Sequence, residues 1–153
     1  MEDEIEEDLP VVDASGCIVT PGLIDIHTHC YPKAFLGLEP DVLGIQRGTT
    51  TIHDAGSSGA DTYEDFRQNY IDKCKTKVFT LLNVSKEGLL VGHELDSMEK
   101  IDVEALKETL KKYPDNIVGL KARASASVVG QMGLKPIELA AKLAKETGKP
   151  LMV

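Results

Sequence analysis

The sequence predicts an α/β protein, a partial TIM (β/α)8-type barrel holding about the first four to five βα units, on three observations. Apolar, β-rich runs alternate with amphipathic helical segments at a spacing of roughly 30 residues, the rhythm of repeated βα units with right-handed crossovers. No GxGxxG follows the first run, where a doubly wound dinucleotide-binding sheet carries its phosphate turn; HisThrHis stands there instead. The chain has 153 residues, whereas a complete barrel takes roughly 250, so it reads as about half a barrel, truncated at both ends.

Taken in order, the predicted strands cover 22–29 (GLIDIHTH), 49–55 (TTTIHDA), 78–85 (VFTLLNVS) and 117–123 (IVGLKAR), with a fifth beginning at Pro150. Each is a short apolar run bounded by turn residues, the pattern of a strand buried on both faces. A helix is expected over 61–75, with Tyr63, Phe66, Tyr70 and Cys74 on one face and Asp61 at its cap. A second follows Asp102, with Val103, Leu106, Leu110 and Tyr113 inward, Glu108 paired with Lys112 outside, and Pro114 closing it. In the third, Pro136 occupies the first turn, Ile137, Ala140, Ala141 and Ala144 face inward, and Gly148 is the stop.

Composition narrows the function classes. The net charge is −8, but six acids crowd into residues 1–8, which contain no base, so 1–8 reads as an acidic tail on a nearly neutral body. That body has no basic field for a nucleic-acid backbone or an anionic membrane, and both are set aside as partners. No apolar stretch approaches the roughly 20 residues of a spanning helix, and the acidic start is unlike a secretory leader, so a cytoplasmic protein is expected. Cys17, Cys30 and Cys74 lack CxxC spacing and read as small buried hydrophobes. Residues 9–21 read as a short β-like connection, and 22–153 as the half-barrel.

Chemistry concentrates at the strand ends. His27 and His29 lie two apart on the first strand, so both imidazoles and Asp25 project to one side, where two neutral rings can grip one divalent ion; a histidine pair satisfied by a loop is the alternative. Lys121 interrupts an apolar strand. It is either a lysine that snorkels or pairs with an acid, or one kept neutral, able to add carbon dioxide and bridge two metal ions as a carbamate. Arg123 shares its face and is a candidate carboxylate clamp for substrate or a structural ion pair. Asn83 is a candidate substrate contact or a turn residue, His93 a rim or exposed loop histidine, and His53 with Asp54 a support for ligands or for a turn.

ValAspAlaSerGly (12–16), ThrProGlyLeuIleAspIleHisThrHis (20–29) and ArgGlyThrThrThrIleHisAspAlaGly (47–56) resemble the start of the barrel in the amidohydrolase superfamily, the group of urease, dihydroorotase and hydantoinase. GlyLeuLysAlaArgAlaSerAlaSerValValGly (119–130) resembles its amidohydrolase/deacetylase branch. The resemblance implies that 9–21 is the remnant of an N-terminal β-sandwich, that His27 and His29 bind the more buried of two divalent ions, zinc by donor type, and that carboxylated Lys121 bridges both. It implies metal-dependent hydrolysis of an amide or ester in a small acetylated carboxylate. A dihydroorotase- or hydantoinase-like cyclic amidohydrolase is the alternative. The remaining ligands and the catalytic acid/base are expected beyond Val153, so the catalytic residue is unknown and the isolated chain is expected to be inactive. A noncatalytic fragment or interaction module, with association into a homo-oligomer covering its open edges, is the reading from another class.

Overall fold

The computed structural model describes residues 10–153; the acidic tail expected at 1–8 lies outside the described residues. Five strands form one sheet: β1 (Leu23–Thr28), β2 (Thr49–Ala55), β3 (Lys77–Asn83), β4 (Ile117–Lys121) and β5 (Leu151–Met152). Every pairing is parallel and the order in space is the order in sequence. Sequential winding is what a barrel requires, since a doubly wound sheet reverses direction at a switch point. The sheet and its helices are thus a partial TIM barrel.

The helices are α1 (Pro40–Leu43), α2 (Tyr63–Asn69), α3 (Val103–Lys112), α4 (Ala126–Val129) and α5 (Lys135–Thr147). Asp102 caps α3 as expected, its carboxylate accepting the Ala105 N–H at 2.9 Å. Gly148, at φ 67°, ends α5 in the left-handed region that glycine enters without strain.

Several local expectations are corrected. Thr62, not Asp61, precedes α2, which stops at Asn69 and continues as a 3-10 turn over Ile71–Lys73. The outward partner of Lys112 is Glu64 of α2, not Glu108. On α5 Ala141 is exposed while Leu143 is buried, because the helix presents the Pro136, Ala140 and Leu143 stripe to the sheet. Cys17 is exposed, and only Cys30 is fully buried. Residues 10–22 contain a turn, in which Asp13 accepts the Ser15 N–H, but no strand, since a β-like segment there has no ladder to join.

Two apolar clusters lie between sheet and helices. Leu82, Leu106, Ile117, Leu120, Ala140 and Leu143 centre one, Tyr31, Ile52, Phe66 and Leu89 the other. They hold β2, β3 and β4 rigidly, whereas β1 pairs on one side only and leaves Leu23, Ile24 and Ile26 62%, 63% and 66% exposed. An apolar edge strand is a template for intermolecular pairing. The 153-residue chain expressed alone should therefore run larger than a monomer in light scattering. A monodisperse monomer with a sharp cooperative melt would contradict this.

Candidate functional site

Parallel strands all finish on one rim, so the last residues of β1 to β4 are brought together. By strand alternation and register, His27, His29, His53, Asn83 and Lys121 take the inner face, while Thr28 and Asp54 take the helix-facing side. The rings of His27 and His29 lie edge to face with centroids 5.5 Å apart, His27 exposed and His29 half-buried.

A buried carboxylate fixes that pair. Asp54 is fully buried at the end of β2; its Oδ2 accepts the N–H of Cys30 and its Oδ1 the N–H of Ser57, both at 2.7 Å. This staples the chain just after His29 to the turn after β2. The Ser57 hydroxyl lies 3.0 Å from His29 Nδ1, which leaves Nε2 as the nitrogen for a ligand. Burial pushes the Asp54 carboxyl above its usual range, against the N–H groups that stabilise its anion. Burial first, then the positive charges of His27, Lys121 and Arg123, lower His29 to about 4. A ring that stays neutral at physiological pH offers a lone pair rather than a proton.

Lys121 ends β4 opposite Asn83, and is only 6% exposed. Its stem runs over Gly56, where an added Cβ would stand 2.5 Å from Lys121 Cβ. Gly56 also sits at φ 79°, so this turn requires glycine both for its backbone and for the lysine's space. Burial, followed by the charge of Arg123, lowers the amine's pKa, with Glu94 opposing more weakly. Among the described residues the ammonium has no hydrogen-bond acceptor or ion-pair partner. Two imidazoles and a lysine nitrogen, which can donate once it is deprotonated or carboxylated, are donor types that suit a divalent-ion site. Among the described residues no three His, Cys, Asp or Glu side chains cluster to hold an ion.

The remaining candidates separate. Asn83 is buried, its amide nitrogen donating to Gly56 O and its oxygen accepting the Ser85 N–H, so both ends of the amide serve the two turns. Arg123 is paired through two bonds of 2.6 Å with Glu94, a residue the sequence did not single out. His53 packs against Phe79 on the inner face, and His93 is exposed on the loop after β3. Ser57 and Glu94 were missed because nothing in their neighbourhood in sequence names their partners.

No family model matches the chain. It is 39% identical over 140 residues to a deacetylase of Enterococcus faecalis (strain ATCC 700802 / V583), a match covering 90% of this chain and 38% of the relative. A solved adenine deaminase superposes with a TM-score of 0.82 at 40% identity, covering 86% of this chain and 36% of that one. A solved dihydroorotase does so at 0.83 and 34%, covering 87% and 43%. The chain belongs to the amidohydrolase superfamily. As an amidohydrolase it spans little more than a third of the length of the deacetylase it matches.

The half-buried imidazole of His29 gives this amidohydrolase rim a pH signature. An unfolded chain protonates His29 near 6.5 and the folded one only near 4, so the unfolded state binds more protons between these values. Stability contributed by the neutral ring is complete above 6.5 and is lost as pH falls towards 4. NMR titration of the His29 Cε1 resonance should show a midpoint near 4; a midpoint at the ordinary 6.5 would contradict the burial described.

Proposed function

We propose that the chain carries part of the active site of a metal-dependent hydrolase that cleaves an amide or ester bond, acting as a deacetylase on a small acetylated carboxylate. The observation that carries this reading is the largely buried side chain of Lys121, its ammonium unpartnered among the described residues, on the same inner rim as His27 and His29. The deacetylase relative supports the choice of reaction.

In this reading His27 and His29 would hold one ion through ring nitrogens, with Ser57 and Asp54 fixing the orientation of His29. The Lys121 amine, once deprotonated, would attack carbon dioxide, forming an N–C bond and releasing a proton to solvent, and the carbamate would supply an anionic ligand for divalent ions. Bound divalent ions, zinc by donor type, would polarise the scissile carbonyl and lower the pKa of water at neutral pH. Arg123 takes the substrate carboxylate, and Asn83 acts by shaping the turns around the site. A cyclic amide is the second reading, favoured by the fit to the solved dihydroorotase. The partner is a small molecule, with neither nucleic acid nor membrane involved; among the described residues no helix is long and apolar enough to cross a membrane. Three free cysteines suit the reducing cytoplasm, where we place the protein.

In the protein that contains this chain, expressed at full length, Lys121→Ala should remove most of the bound metal and lower the rate at least ~100-fold, the scale of losing one charge-stabilising group. Propionate at high concentration should restore part of both by supplying a carboxylate to the vacated space. Lys111→Ala and Lys145→Ala, on exposed helix faces, should change neither. Full metal content and full rate in Lys121→Ala would make the lysine structural and remove the two-metal assignment.

A further inference from the structure

Glu94 lies on the loop between β3 and α3, and its side chain is 0% exposed. Its carboxylate receives Arg123 Nε on Oε1 and Arg123 Nη2 on Oε2, each at 2.6 Å, and Nη2 also reaches Gly92 O at 3.3 Å. The guanidinium carbon lies 5.6 Å from the centre of the Phe35 ring, which belongs to the loop after β1. That loop is itself tied to the loop after β3, since Phe35 N–H donates to Leu89 O at 3.1 Å. One edge of the guanidinium is therefore fully occupied and one face covered. Among the described residues Nη1, with two N–H groups, has no acceptor.

An ion pair in which one partner stays accessible leaves that partner's remaining donors free to meet a second group. Here burial is asymmetric: the Arg123 side chain is 25% exposed while its partner is completely enclosed. Arg123 follows Lys121, the last residue of β4, by two positions, so strand alternation carries it to the same rim. We propose that Glu94 is a positioning residue that locks Arg123 so that its free Nη1 edge recognises the carboxylate of the substrate. The two-bond fork restrains the Arg123 side chain, so part of its ordering entropy is spent on folding rather than on binding. The pair is neutral overall, so the edge suits a monoanionic carboxylate better than a phosphate, which would need further cations. Phe35, 53% exposed, forms the apolar wall beside it. This inference deepens the proposed reading and rests on it for the identity of the anion-bearing molecule.

The test uses the full-length protein with its metal, titrated calorimetrically with butyrate, an inert monocarboxylate, and with the neutral analogue butyramide. Release of acetate from acetylated carboxylates is followed separately. Glu94→Gln keeps the shape and one acceptor but cannot hold the fork, and Arg123→Lys keeps the charge but not the second bond. Each should weaken butyrate about tenfold or more, the loss of one well-placed charged hydrogen bond, and leave butyramide unchanged. The double variant should be no weaker than Arg123→Lys alone. Undiminished butyrate binding by Glu94→Gln, an equal loss for both ligands, or a parent protein that does not prefer butyrate each overturns the inference. If the butyrate pattern holds and no acetate is released, the hydrolytic reading falls and the anchor stands. Acetate release without that pattern does the reverse.

Discussion

A lysine side chain that is only 6% exposed and whose ammonium has no counter-ion among the described residues is unfavourable while the group stays charged. Lys121 is in that position at the end of β4, and the structure around it is built to keep it there: Gly56 gives up its side chain to the lysine stem, and Asn83 holds the turn that brings Gly56 close. Charge can be relieved in two ways, by loss of the proton or by conversion of the amine to an anion that metal ions neutralise. Arg123 next to it favours the first and is compatible with the second. Most of what the rim can do follows from which of these the lysine takes.

The fold supplies the geometry. In-order parallel pairing sends every strand end to the same rim, and the helix-facing clusters make β2, β3 and β4 a firm base for it. β1, which brings the two histidines, has no such cover on its outer edge. Beyond its ladder with β2, its end is held by Asp54, whose carboxylate binds the backbone of Cys30 and of Ser57 in a fully buried setting. A single side chain of β2 thereby couples the end of β1 to the serine that orients His29. The helix-facing residues of the strands thus do more than fill the core, and the site's precision is inherited from a polar contact inside it.

Strands and helices were legible in the sequence because their signals are local. Apolar runs between turn residues located all five strands, β2 at its observed bounds, and Asp102 and Gly148 marked helix ends by chemistry that acts within a few residues. The face shared by His27, His29, Asn83 and Lys121 was equally legible, since strand alternation and parallel order determine it. What was not legible depends on partners distant in sequence. The exchange of Ala141 for Leu143 on the buried face of α5 is set by how the helix lies on β4 and β5. The pairing of Glu94 with Arg123 spans 29 residues, and nothing beside Glu94 in the chain distinguishes it from a solvated loop acid.

The state of the Lys121 nitrogen is the point on which this account turns, and carbon-13 NMR reads it directly. The full-length protein, equilibrated with 13C-bicarbonate and zinc, should show a protein-bound carbamate resonance that is absent from the folded Lys121→Met variant. A parent protein that binds two equivalents of zinc and shows no such resonance would contradict the account.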